Sequence, residues 1–131
     1  MPNSEYFAGH FDGEGCLYMS RHNAGWRLKA TVSACHKPVL EYYKTTFGGS
    51  IREVTRGAKN KTLWCWSLTN HAELLVFLQS IAPFSLEKKP QILIGCEWLL
   101  ARKAFPRYRV PHTFIELGNQ CAAELAQLKK L

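Results

Sequence analysis

The predicted elements of this chain occur in an order that repeats once, and the repeat limits the folds that the chain can adopt. One helix begins near Ser4 and another opens at Pro38, and each precedes two segments in which apolar and polar residues alternate. The four alternating segments are residues 16–21, 26–33, 50–55 and 61–68. Such alternation is typical of strands that are buried on one face only. The repeat therefore predicts an α+β fold, αββαββα, with a four-stranded antiparallel sheet backed by helices.

The rest of the chain is predicted to be helical. Asn70 or Thr69 caps a helix that runs through Ala82, because an apolar stripe follows and Pro83 ends it. Further helices are predicted over 91–104 and from about Thr113, separated by a basic, proline-bounded loop at 105–111. A length of 131 residues fits one domain spanning 1–131.

The two-residue period of a strand separates the side chains of the predicted sheet into two faces. Leucine, valine and tryptophan side chains fall on the face toward the helices. The outward face is polar and basic, and its predicted nucleic-acid contacts are Tyr18, Ser20, His22, Arg27, Lys29, Thr31, Arg52, Lys61, Cys65 and Ser67.

The net charge of +7 is concentrated in the half of the chain that forms the sheet. Between Cys16 and His71 there are only two acids, against nine Lys or Arg residues at positions 21, 27, 29, 37, 44, 52, 56, 59 and 61. A basic surface of this kind favours polyanionic partners, and nucleic acid is the leading candidate.

Other classes of protein are disfavoured. The five cysteines are scattered, with no pair at zinc-ligand spacing, so neither a disulfide framework nor a zinc site is expected. No apolar run reaches the ~20 residues that a membrane span needs. Neither a membrane nor an organic cofactor is an expected partner.

Two acids stand at the predicted end of the first helix, in the run Asp12-Gly13-Glu14-Gly15. Carboxylates are unfavourable there, because the end of a helix already presents unpaired carbonyl groups and partial negative charge. A hard divalent cation such as Mg²⁺ would relieve this repulsion. Gly9 and Gly13 lie four residues apart on one side of the helix, which favours close approach of another backbone.

The nine residues from Phe7 to Gly15 (FAGHFDGEG) resemble the LAGLIDADG motif of homing endonucleases. The order of helices and hairpins is similar to that family over about residues 4–91. The resemblance implies a site-specific, metal-dependent double-strand DNA endonuclease. It assigns metal binding to Glu14 and Gly13, catalysis to Glu14 and Lys88 with Lys89 in reserve, and the metal to Mg²⁺ with Mn²⁺ as a substitute.

Because the motif occurs only once in the chain, the resemblance implies a homodimer. Family members with a single motif pack two motif helices about a twofold axis. The resemblance places Ala8, Gly9, Asp12 and Gly13 in that interface. A twofold dimer requires a long, nearly palindromic double-stranded DNA site. The strands are expected to lie in the major groove, which accepts a two-stranded β-ribbon. The resemblance also implies an intron-encoded protein of an organelle, with prokaryotic or phage cytoplasm as the alternative.

The sequence departs from the family at Ala34, where the family often has Gln. This departure keeps a second function open: a DNA-binding protein of the same fold that does not cleave, or an RNA-splicing maturase. A third interpretation, an α+β domain with no role on nucleic acids, predicts no salt-dependent affinity for duplex DNA.

Overall fold

The computed structural model describes residues 3–22, 25–54, 62–105 and 112–130. Within these ranges the chain forms five helices and four strands. In chain order they are α1 (Ser4–Glu14), β1 (Gly15–His22), β2 (Gly25–Ala34), α2 (Lys37–Phe47), β3 (Ser50–Val54), β4 (Leu63–Leu68), α3 (His71–Ile81), α4 (Lys89–Lys103) and α5 (His112–Leu128).

The strands form one antiparallel sheet in the order β1-β2-β4-β3. Ala30 pairs with both Leu17 and Leu68, and all three are fully buried. The residues between them in each strand point to the opposite face, as the pleat requires. The predicted α+β fold, with a four-stranded antiparallel sheet and its apolar face toward the helices, is confirmed.

Local sequence explains where the helices begin. The side chains of Asn3 and Asn70 accept hydrogen bonds from the amides of Tyr6 and Glu73, so both helices have a capping asparagine. Two predicted boundaries were wrong. Helix α1 continues through Gly13 to Glu14, and α4 begins at Lys89 rather than at Gln91, because Pro90 fits the first turn of a helix.

Glycine is required where α2 turns into β3. Gly48 and Gly49 have φ angles of +94° and +90°, a region that other residues rarely adopt. A side chain at Gly49 would also clash with the carbonyl oxygen of Ser67. The indole of Trp66 donates to the Gly48 carbonyl at 2.8 Å, which fixes the turn against β4.

The core is an aromatic cluster between the sheet and the first three helices. Its rings meet mostly edge to face, with centroids 4.7–6.1 Å apart, which is a favourable geometry for aromatic pairs. The members are Phe7, Phe11, Tyr43, Phe47, Trp66 and Phe77. Through Phe7 and Phe11 this cluster packs α1 against α2, α3 and the sheet.

The last two helices complete the layer behind the sheet. Ile92, Trp98 and Leu99 bury one side of α4. Helix α5 lies beside β1 and β2, where Asn119 accepts a hydrogen bond from the Trp26 indole at 2.8 Å. No helix in the described ranges is long and apolar enough to cross a membrane. The predicted loop at 105–111 and the 55–61 end of the second hairpin lie almost entirely outside the described residues.

Candidate catalytic site and nucleic-acid interface

Glu14 is the last residue of α1 and leads directly into β1. Its side chain is exposed, because the buried side of α1 is formed by Phe7, Ala8 and Phe11. The carboxylate therefore lies in solvent where the helix meets the first strand of the sheet. This position makes Glu14 available to a ligand.

Asp12 is bound by the connection between α3 and α4. Its carboxylate accepts hydrogen bonds from the Ser85 hydroxyl and from three consecutive amides, those of Leu86 at 2.7 Å, Glu87 at 3.2 Å and Lys88 at 3.2 Å. Ser85 is 1% exposed, so this bond is shielded from water. The side chain of Asp12 thus satisfies four donors of a segment more than 70 residues away in sequence.

The bonds to Asp12 explain its ionisation. Partial burial raises the pKa of its carboxyl, but the hydrogen bonds from Ser85 and the three amides outweigh burial and hold the pKa below its ordinary value. Asp12 is therefore charged and fully partnered without a cation. The prediction that a metal relieves both acids of the motif is wrong for Asp12 and stays a prediction for Glu14.

Lys88 lies at the same end of α1 as Glu14. Its Nζ donates to the main-chain carbonyl of Asp12 at 2.6 Å, two residues before Glu14. An amine and an exposed carboxylate, predicted from distant parts of the sequence, are thus held at one helix end. Lys89, the reserve choice, is the first residue of α4, and its side chain is exposed.

The end of α1 offers two oxygen donors. No group of three His, Cys, Asp or Glu side chains comes together within the described ranges. The Glu14 carboxylate and the carbonyl of Gly13 are hard oxygen donors of the kind that Mg²⁺ or Ca²⁺ accepts. These donors fit a divalent cation whose remaining ligands come from water, a phosphate or a second copy of the chain.

His10 occupies the half-buried side of α1. Its Nδ1 lies 2.8 Å from the Tyr43 hydroxyl, and its ring stacks on Tyr6. Burial lowers the pKa of His10, although the charge of Glu14 opposes the shift. His10 is therefore a packing residue that ties α1 to α2.

The outward face of the sheet carries a polar cleft of about 430 Å³. Arg27 and Lys29 line it from β2 and Arg52 lines it from β3, and Asn70 and Glu73 close it at the start of α3. The charges of Arg102 and Arg27 add to burial in lowering the pKa of His71 at the same end of α3. A positive potential therefore extends over this part of the sheet.

The other predicted contacts lie on the same face with different exposure. Tyr18, Ser20, Thr31 and Ser67 are half-buried, whereas Cys65 is only 5% exposed and has little surface to offer a ligand. His22 ends β1, and only its backbone is described. Lys61 lies outside the described residues.

Sequence reasoning missed Lys129, which directly follows α5 and reaches this face. The Nζ of Lys129 lies 5.5 Å from the centre of the Tyr18 ring and 3.8 Å from the Cys16 sulfur. It also missed Ser85, the buried partner of Asp12. No sequence signal marks either residue, because both contacts join segments far apart in the chain.

Of the four predicted interface residues of α1, two are open on the surface and two are not. Gly9 and Gly13 are exposed, and nothing lies within 4 Å of a methyl group placed on either. Ala8 is fully buried inside the protomer and Asp12 is occupied by residues 85–88. The assignment of Ala8 to a surface between two copies was wrong, since its methyl group packs into the core.

Comparison with solved structures identifies the fold. The chain superposes on an archaeal intron-encoded homing endonuclease complexed with DNA, I-Vdi141I, with a TM-score of 0.75 and 21% identity over 95% of this chain and 82% of that one. The homing endonuclease I-TnaI gives 0.73 and 17% over 98% and 95%. I-SmaMI, bound to uncleaved DNA with calcium ions, gives 0.75 and 20%, but this chain covers only 46% of it.

The chain therefore has the LAGLIDADG homing-endonuclease fold, as the motif at residues 7–15 implied. No protein-family model and no curated protein sequence matches it.

Proposed function

We propose that this protein is a metal-dependent, site-specific double-strand DNA endonuclease. The observation that carries the proposal is that Glu14 and Lys88 lie at the same end of α1, where this helix meets a sheet whose outward face is basic. The fold supports it, because structural neighbours are homing endonucleases bound to DNA targets.

The proposed chemistry divides the work between two side chains. The Glu14 carboxylate and the Gly13 carbonyl beside it would hold a divalent cation. A bound Mg²⁺ would lower the pKa of a water molecule and offset charge on the departing oxygen. Lys88 places a positive charge where negative charge develops on the phosphate, which stabilises the transition state electrostatically.

The same proposal explains an otherwise repulsive feature. An exposed carboxylate beside a DNA phosphate is unfavourable unless a cation lies between them. Among the described residues, Glu14 has no hydrogen-bond or ion-pair partner to neutralise it, whereas Asp12 is fully partnered. A metal requirement follows from Glu14, not from the motif's two acids together.

We further propose that the active form is a homodimer joined through α1. Gly9 and Gly13 leave a strip of bare backbone on the exposed side of the helix. Tyr6 (44% exposed), Phe84 (46%) and Leu86 (86%) add apolar surface on α1 and on the segment bound to it. This chain covers about half the length of I-SmaMI, which leaves room in that protein for a second unit of the same fold.

Gly9→Leu tests the dimer. We expect a folded monomer, because a side chain at Gly9 meets nothing inside the protomer but would block the approach of a second helix. Light scattering after size exclusion gives the mass. Gly25→Leu is the control, since Gly25 is equally open but lies at the turn of the first hairpin. A wild-type protein that is monomeric both alone and on DNA would contradict the proposal.

Arg52→Ala tests readout by the sheet face. Arg52 is exposed on β3 and lines the cleft, where a guanidinium can contact a guanine edge bidentately. We expect specificity to relax at one base pair of each half-site by about 1–3 kcal/mol, measured as affinities for single-substitution sites in Ca²⁺. Arg21→Ala is the control, because Arg21 stacks on Trp26 on the opposite face. An equal loss for every sequence would mean that Arg52 contacts phosphate instead.

The experiment that tests the function uses two DNA probes. One is the sequence flanking the gene, joined without the gene, and the other is a plasmid pool with randomised, nearly palindromic inserts. We expect double-strand cleavage of a subset in Mg²⁺ and binding without cleavage in Ca²⁺. Tight binding with no cleavage in Mg²⁺ or Mn²⁺ would support the alternative, a DNA-binding protein or maturase of the same fold, which Ala34 in place of Gln also favours. The intron-encoded, organellar origin stays a prediction.

A further inference from the structure

We infer that Asp12 is a positioning residue that holds Lys88 beside Glu14. The inference rests on the proposed function, in which Lys88 acts at the DNA backbone. It gives the first acid of the motif a role of its own, distinct from metal binding and from contact between two copies.

The geometry of Asp12 suits this role. A single carboxylate receives bonds from four consecutive residues, 85–88, and the last of them is Lys88 itself. The main-chain carbonyl of Asp12 also accepts a hydrogen bond from the Lys88 Nζ at 2.6 Å. Asp12 therefore fixes both ends of Lys88, its backbone amide and its terminal amine.

Main-chain hydrogen bonds tie the two ends of the segment to the adjoining helices, from the Ser85 amide to the Ile81 carbonyl and from the Ile92 amide to the Lys88 carbonyl, both at 2.9 Å, whereas Asp12 binds the amides between them. Lys88 precedes α4 and has no side-chain capping bond of its own, and its neighbours Leu86 and Glu87 are exposed. A lysine side chain has several rotatable bonds, so a free Lys88 would occupy many positions. Restricting it before substrate arrives lowers the entropic cost of reaching the transition state.

The bond pattern also requires an aspartate. An asparagine at this position would have one acceptor oxygen, and its amide group would face backbone N–H donors. Asp12→Asn therefore breaks about half of the contacts while changing the volume very little. Ser85→Ala removes one donor and leaves the carboxylate in place, so it is the milder second variant.

The first experiment measures the position of Lys88 without DNA. The full chain is treated with an N-hydroxysuccinimide acetyl ester, and the labelling rate of each lysine is followed by mass spectrometry. In the wild type we expect Lys88 to react more slowly than the neighbouring Lys89. In Asp12→Asn the segment should shift and the Lys88 Nζ should lose its hydrogen bond to the main-chain carbonyl of residue 12. The rate at Lys88 should then rise about 3- to 10-fold, the change expected when one hydrogen bond of ordinary strength is lost, with Lys89 unchanged. An unchanged Lys88 rate in both Asp12→Asn and Ser85→Ala would overturn the inference.

The second experiment is a double-mutant cycle in single-turnover cleavage. We expect Asp12→Asn to cut about 100-fold more slowly, as a displaced catalytic group does, while its affinity for DNA in Ca²⁺ is retained. Asp12→Asn with Lys88→Ala should be no slower than Lys88→Ala alone. Ser80→Ala controls for loss of a serine hydroxyl, because Ser80 bonds only within α3.

The outcomes separate this inference from the proposed function. If the wild type cleaves and the two substitutions multiply their effects, Asp12 acts independently of Lys88 and the inference is wrong. If the wild type binds DNA but never cleaves, the proposed function is wrong and Asp12 has no catalytic group to position. If Asp12→Asn does not fold, Ser85→Ala becomes the deciding variant. For Ser85→Ala we expect the labelling rate at Lys88 to rise and the cleavage rate to fall, both by smaller factors.

Discussion

Glu14→Gln is expected to slow DNA cleavage by at least about 100-fold, the size of effect found when a group that stabilises transition-state charge is removed. The amide has nearly the same shape as the carboxylate but carries no charge, so a divalent cation loses its only protein carboxylate ligand within the described part of one protomer. The fold should be unchanged, because the Glu14 side chain is exposed and α1 is anchored by buried aromatic residues. Single-turnover cleavage in Mg²⁺ measures the rate.

The matched control is Glu87→Gln. Glu87 is another exposed acid of the same region, but only its backbone amide contacts Asp12. We expect it to cleave at the wild-type rate. Binding in Ca²⁺ should be weakened in Glu14→Gln only as far as the cation contributes to affinity. Cleavage at the wild-type rate by Glu14→Gln would show that the metal is held elsewhere and would overturn the assignment of the site.

Phe77→Ala is expected to lower the free energy of unfolding by about 3–5 kcal/mol, the usual cost of truncating a fully buried phenylalanine. The ring of Phe77 lies 5.2 Å from Phe11, 4.8 Å from Phe47 and 5.4 Å from Trp66, centre to centre. It therefore joins α3 to α1, α2 and β4. Urea denaturation at one fixed protein concentration measures the change, since a dimer's apparent stability depends on concentration.

Val76→Ala is the control for Phe77→Ala. Val76 precedes Phe77 in the same helix but is 57% exposed, so we expect a change within about 0.5 kcal/mol. Because Phe11 lies three residues before Glu14 on α1, loss of Phe77 should also reduce the cleavage rate of the folded fraction. A change below about 1 kcal/mol in Phe77→Ala would mean that the cluster closes over the cavity.

Much of the fold could be predicted because its signals are local. The alternation in the four strands, Pro38 at the start of α2 and the glycines after Phe47 each act within a few residues. The ends of helices were harder to predict. The low helix propensity of glycine predicted that α1 would stop at Gly13. In the structure α1 continues past it to Glu14, because the packing of Phe7 and Phe11 stabilises the helix more than one glycine destabilises it.

Some of the predicted site residues agree with the structure and others do not. Glu14 and Lys88 followed from the motif and its resemblance to a family, and the structure brings them to the same helix end. Ala8 was misplaced because a helical pattern of small residues does not reveal which side faces the core. Cys65 has the outward position that its strand predicts, yet only 5% of its surface is accessible. The two-residue period of a strand shows which face a side chain points to, but the solvent accessibility of that side chain depends on the neighbouring strands.

Residue patterns were enough to predict the α+β repeat, the apolar and basic faces of the sheet, and the acidic end of the first helix. All of these depend on the spacing of residue types along a short stretch of chain, where the geometry of strands and helices is fixed. Which acid is free depends on tertiary contacts: Asp12 and Glu14 are nearly identical in local context, but residues 85–88 bind Asp12 and leave Glu14 exposed. Hydrogen bonds between segments so far apart arise from how α1, α3 and α4 pack together, and no local pattern encodes them.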